Sequence, residues 1–218
     1  MGFLGVLMLD TRFPRLPGDV GHAGSFAMPV RHRVVAGASP RRIVQQGDRA
    51  LLEPFVAAGR ALVGEGARAL TTSCGFLARW QAELQAALPV PVWTSSLLLL
   101  PGLAARRPGV LTVDAASLDA ATLLAAGAPP STPVQGIDPD SALAATLLQD
   151  RAELDAEAAA RTMAAAAREL VGRHPDRGAI VLECTNMPPY RDIVAQVTGL
   201  PVHDVMTMVH ERWEALAA

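Results

Sequence analysis

Gly5-Val6-Leu7-Met8-Leu9-Asp10 returns later in the chain as Gly109-Val110-Leu111-Thr112-Val113-Asp114. Both are apolar runs closed by an aspartate, as expected of buried strands leaving a sheet. Arg60-Ala61-Leu62-Val63-Gly64 returns as Arg168-Glu169-Leu170-Val171-Gly172, and Cys74 has its counterpart in Cys184. Each cysteine follows an apolar run and precedes a Pro-Val pair by 17 residues, Pro91-Val92 and Pro201-Val202. The three offsets are 104, 108 and 110 residues, in order along the chain. Matches in register at half the chain length predict an internal duplication of a βαβ unit.

The local patterns fill in that unit. Strands are expected near 4–9, 30–35, 68–73 and 91–94, and again near 109–113, 133–137, 178–183 and 201–204. Asp48 is positioned to cap a helix running to about Gly64, and Ser117 one that stops at Gly127. The alanine-rich stretch 152–172 favours helix, and Met187-Pro188-Pro189 suits a helix start. The Gly/Pro stretches 127–133 and 173–178 read as loops. Residues 11–29 break the symmetry. They form a long Gly/Pro-rich segment after the first strand, with only a few residues in the equivalent place of the second half. A loop of that length carries function or covers the sheet.

Composition narrows the chemistry. Of 218 residues, 50% are hydrophobic and 18% charged, which describes a well-buried globular chain rather than a disordered one. The 19 basic Lys/Arg positions are all arginine. Without lysine there is no pyridoxal phosphate Schiff base and no lysine-based phosphate loop. A net charge of −2 gives no electrostatic reason to expect nucleic acid. No apolar stretch reaches the ~20 residues of a membrane helix. The run Met1–Leu9 reads as a first strand and not as a leader, so no membrane association and a cytoplasmic location are expected. Homodimerisation is the default assembly.

The two cysteines fall at strand-to-helix junctions, and ligands of α/β sheets bind at the carboxyl ends of parallel strands. Such a junction lowers a thiol pKa and cradles a carboxylate. If the halves face each other, the two thiols reach one ligand from opposite sides. One thiolate then removes a Cα proton while the other thiol protonates the far face, which is racemisation or epimerisation without metal or cofactor. Ser73, Thr185, Asn186 and the backbone N–H groups of residues 75–76 are the candidate donors to the developing charge. A buried cysteine can also merely fill space.

These residues resemble the aspartate/glutamate racemase superfamily across essentially the whole chain. Asp10-Thr11 is similar to its first-strand motif, Thr72-Ser73-Cys74 to its first cysteine segment and Glu183-Cys184-Thr185 to its second. The resemblance implies an α/β fold of two pseudo-symmetric parallel-sheet αβα domains with the active-site cleft between them. It divides the chain into 1–97 plus about 206–218, carrying Cys74, and 98–205, carrying Cys184. It also implies catalytic Cys74 and Cys184, no cofactor, and a small carboxylate substrate bound by Asp10, Thr11, Ser73, Gly75, Phe76, Thr94, Thr185 and Asn186. Amino-acid racemases of this kind have Asn-Thr after the first cysteine and Thr-His after the second, where this chain has Gly75-Phe76 and Thr185-Asn186. Arg12 and Asp19 of the 11–29 segment, and His203, are further candidate contacts. The histidine spacings match no metal motif.

The expected function is a cofactor-independent racemase or epimerase of a small amino acid or related carboxylate. A hydantoin racemase, a single-cysteine isomerase or decarboxylase, and a catalytically silent small-acid-binding protein are the alternatives.

Overall fold

The computed structural model describes residues 2–217. Met1 and Ala218, the outer ends of the expected first unit, lie outside the described residues. Strands β1 (Phe3–Met8), β2 (Val30–Val34), β3 (Ala67–Thr72) and β4 (Val92–Trp93) form one sheet. Strands β5 (Gly109–Thr112), β6 (Val134–Gly136), β7 (Ile180–Leu182) and β8 (Val202–His203) form a second. All pairings are parallel, and the spatial orders β2-β1-β3-β4 and β6-β5-β7-β8 are the same. Val6 pairs with His32 in the first half, and its repeat mate Val110 pairs with Val134 in the second. The sequence repeat is therefore a repeat of topology. Each expected strand lies within about two residues of an observed one, inside the usual uncertainty of element ends.

Parallel strands joined by helices are buried on both faces. β1 shows this residue by residue. Leu4, Val6 and Met8 pack with Ala69, Trp93 and the buried Val205, Met206, Met208 and Val209 of helix α7 (Val205–Ala217). Phe3, Leu7 and Leu9 turn to the other side, into the cluster of Phe55 and Leu62 from helix α1 (Leu52–Gly64) and Leu84 from α2 (Gln81–Ala87). The last helix of the chain thus closes the first sheet. Burying each such Leu or Val side chain contributes about 1.5–3 kcal/mol.

The second half adds α3 (Ala120–Ala125), α4 (Ala142–Leu148), α5 (Ala156–Arg173) and α6 (Arg191–Thr198). Ala159, Met163, Ala167 and Leu170 form the buried stripe of α5, at helical spacing. One expected cap and one expected helix start move. Asp119, not Ser117, caps α3, accepting from Thr122 N. The Asp114 carboxylate holds the N–H groups of Ala116 and Ser117 and the Ser117 hydroxyl, a local turn that delays the helix. Asp155 accepts from Glu157 N and Ala158 N, so α5 starts after it and not at 152.

In each sheet the chain lays one neighbour on one side of the first strand and then crosses to the other. That reversal leaves a crevice at the carboxyl ends of β1 and β3, and likewise of β5 and β7. The two crevices face each other.

Candidate active site

β3 ends into Ser73-Cys74 and a 3-10 turn, Gly75–Trp80. β7 ends into Glu183-Cys184-Thr185. Thr185 Oγ1 donates to the Ser73 carbonyl at 2.7 Å, and Ser96 Oγ donates to the Leu182 carbonyl at 2.6 Å. At the other end of the same crossing Gly75 lies against Glu183, where a Cβ at residue 75 would collide with the Glu183 carbonyl oxygen and Oε1. With 73 against 185 and 75 against 183, the two segments pass antiparallel and bring Cys74 and Cys184 to the middle. The pseudo-twofold exchanges the Ser73–Thr185 contact with the Glu183–Gly75 contact.

Both thiols line one cavity of about 20 Å³, room for about one water molecule. Its apolar wall is Leu9, Phe13, Val44, Phe76, Val113 and Leu147; its polar wall is Ser73, Glu183, Thr185, Asn186 and the thiols. Burial, then the charge of Glu183, pushes the Cys74 thiol up to about 12. The Phe76 N–H and the guanidiniums of Arg79 and Arg15 pull it back. Burial and then Glu183 push Cys184 well above its ordinary value, with Cys74 and Asp19 adding to the rise. The Cys184 thiol donates to Asn186 Oδ1 at 3.6 Å. Both thiols thus face the Glu183 charge, and only Cys74 has guanidiniums beside it that offset part of it.

Glu183 is fully buried between them. Its Oε2 accepts from Thr112 Oγ1 at 2.7 Å, while its Oε1 has no partner. Burial lifts this carboxyl to about 8. Nothing in Val-Leu-Glu-Cys sets Glu183 apart from an ordinary strand-end residue. Its signal lay in Gly75, the small residue that leaves room for it.

The 11–29 segment folds over this site. Asp19, 2% exposed, accepts from Asn186 Nδ2 at 2.6 Å, from Gly21 N at 2.6 Å and from Arg15 Nη1 at 3.2 Å. Arg15 also donates to Thr11 Oγ1 and lies over the Phe13 ring. Arg12 points outward instead and pairs with Asp150 of the second half. The arginine turned toward the site is Arg15, three residues on, which the sequence did not single out.

Among the remaining candidates Asp10, Thr94 and His203 lie outside the cavity lining. Asp10 is exposed and accepts from Gly37 N. Thr94 is sealed by Gln81, which accepts from both its N–H and its hydroxyl. His203 is on β8 with Nε2 buried and unpaired. Ser73 is in the lining and its Oγ accepts from Leu9 N, tying β1 to β3. Among the described residues no group of three or more His, Cys, Asp or Glu is placed to hold a metal ion. No helix among them is long and apolar enough to cross a membrane.

The two duplicated parallel sheets with their flanking helices have the fold of the Asp/Glu racemase superfamily. Solved structures agree: unliganded arylmalonate decarboxylase superposes with a TM-score of 0.64 at 18% identity, covering 100% of this chain and 92% of that one. Glutamate racemase from Bacillus anthracis gives 0.61 at 16%, covering 99% and 81%. No family model matches the sequence. Among curated proteins, the dimethylsulfoniopropionate lyase of Durusdinium sp. clade D is 34% identical over 218 residues, 93% of this chain and 71% of the relative. Dimethylsulfoniopropionate lyase 7 of Emiliania huxleyi (strain CCMP1516) is 29% identical over 238 residues, 98% of this chain and 67% of the relative. The chain belongs to the dimethylsulfoniopropionate lyase family, a family of enzymes.

That membership overturns the expected racemase or epimerase, together with the amino-acid isomerase class and the alternatives set beside it. The relatives by sequence are lyases, and only distant fold neighbours are racemases. The physical reason is that removing a proton beside a carboxylate opens both reactions. The fate of the resulting electron pair depends on whether the next carbon carries a leaving group, and that belongs to the substrate.

Proposed function

We propose that this enzyme cleaves dimethylsulfoniopropionate by β-elimination, with Cys74 as the base. The reading is carried by the thiol pair facing one small cavity, in a chain 34% identical to a lyase named for that substrate. The compound is a propionate with a dimethylsulfonium on its far carbon. Its Cα–H is acidified by the carboxyl, and its sulfonium leaves as neutral dimethyl sulfide. Departure therefore needs no proton, and one base suffices. The Cys74 thiolate takes the Cα proton, those electrons form the Cα–Cβ double bond, and the C–S bond breaks to give acrylate.

The residues lining the cavity suit this substrate in chemistry, and its walls must part to admit it. The Gly75 N–H that opens the turn has no intrahelical partner and favours a carboxylate. Phe13, Phe76 and Leu147 offer an apolar wall to the sulfonium methyls. Cys184 stays a thiol, held by Asn186. The test is incubation with dimethylsulfoniopropionate, reading dimethyl sulfide in the headspace and acrylate by NMR. Equimolar products from the wild type support the reading. No product, with a folded protein, rejects it.

A further inference from the structure

We propose that Glu183 is a positioning residue that accepts the Cys74 proton, so that thiol and carboxyl share a single negative charge and the thiolate forms against a neutral acid. This deepens the lyase reading and rests on it for the identity of the substrate. Three observations lead here. The Glu183 carboxyl is fully buried in the cavity lining, yet only Oε2 is paired, with Thr112. Oε1 is left without a partner. It lies where a side chain at residue 75 would begin, directly after Cys74. By the pseudo-twofold, that is the place matching the Thr185 side chain. The second half fills it with a hydroxyl fixed on a carbonyl, whereas the first half fills it with a titratable group from across the cleft.

The surroundings point the same way. Thr112 donates to Glu183, and the charges that act on it or feel its own are Asp114 from the β5 end, Arg79 and Cys74 from the segment after β3, and Cys184 on its own segment. Arg15 and Asp19 of the overlying loop act on the thiols. Glu183 is the leading charged influence on both cysteines, and ionised it opposes both thiolates. Moving a proton from Cys74 to Glu183 removes that opposition, because two like charges in one buried site are unfavourable.

The step balances. Cys74 thiol and Glu183 carboxylate become thiolate and carboxylic acid. The thiolate takes the Cα proton, and the C–S electron pair leaves with dimethyl sulfide. Cys74 ends as a thiol, and Glu183 gives its proton to solvent. In sum, the zwitterionic substrate yields acrylate, dimethyl sulfide and one proton.

The test is the pH dependence of iodoacetamide alkylation at Cys74, located by mass spectrometry, in the wild type, Glu183→Gln and Thr112→Val. Gln keeps an acceptor for the Thr112 hydroxyl but holds no proton. The wild-type rate should inflect near pH 8, following the carboxyl. In Glu183→Gln the inflection should rise by about one pH unit or more, and above pH 8 alkylation should be faster than in the wild type, because the carboxylate that opposes the thiolate is gone. Thr112→Val, which leaves the carboxyl in place without its donor, should also shift the inflection upward, and it decides the matter if Glu183→Gln fails to fold. Identical inflections in wild type and variants would overturn the proposal. Alkylation needs no substrate, so it judges Glu183 separately from dimethyl sulfide release, which judges the lyase reading.

Discussion

The Thr185 hydroxyl donates to the Ser73 carbonyl at 2.7 Å, across 112 residues of chain. This bond joins the two halves one residue away from each cysteine, so it fixes how the thiols face each other. Both groups are buried, and removing the donor leaves a buried carbonyl without its partner. Thr185→Val should cost about 1–3 kcal/mol. A thermal melt reads the loss, and turnover should fall with it. An unchanged melting temperature would mean that the halves are held elsewhere.

Gly75 is required by close approach, not by backbone angle. Adding one methyl group would press it into the Glu183 carbonyl oxygen and carboxyl. Overpacking of this kind costs about 1–3 kcal/mol. Gly75→Ala should therefore melt lower and lose activity, whereas Gly64→Ala, where a Cβ meets nothing within 4 Å, should leave both nearly unchanged.

Asp19 holds the 11–29 segment to Asn186 and neutralises the mostly buried Arg15. Asp19→Ala leaves that guanidinium without its counter-ion, at a cost of about 3 kcal/mol. Limited trypsinolysis should then cut sooner after Arg12 and Arg15, and the KM for substrate should rise. Cleavage as slow as in the wild type would show that the segment is fixed by other contacts, such as Arg12 on Asp150.

The Glu183 carboxyl also shapes stability against pH. Its ordinary value is 4.5, and burial raises it to about 8 in the folded chain. Between those values the folded state keeps a proton that the unfolded chain has released. The contribution is therefore complete below about pH 4.5 and is lost as pH rises through 8. Glu183→Gln has no such dependence. The melting temperature of wild type relative to this variant should fall from pH 5 to pH 8 and level off above it. A difference that does not move with pH would contradict a buried, protonated Glu183.

Much of the fold could be read from the sequence because burial on both faces writes parallel strands as apolar runs, and duplication writes them twice. Gly5–Asp10 and Gly109–Asp114 sit at the same place in two sheets of the same order. The cysteines were legible for the same reason. Side-chain direction was not. Arg12 and Arg15 look alike in sequence, but only the second turns inward. Asp10 ends a strand beside the crevice yet faces out, and Thr94 is held away by Gln81. The reaction was least legible, since a thiol pair does not say which reaction it serves, and the relatives by sequence are lyases.

The central claim is that the Cys74 thiolate removes the Cα proton of dimethylsulfoniopropionate. The most direct measurement is headspace dimethyl sulfide from wild type, Cys74→Ala and Cys184→Ala at equal protein concentration, with melts confirming that each is folded. General-base removal is worth about 10²–10⁴-fold. The account predicts a loss of that size in Cys74→Ala and a smaller one in Cys184→Ala. Full activity in a folded Cys74→Ala would contradict it.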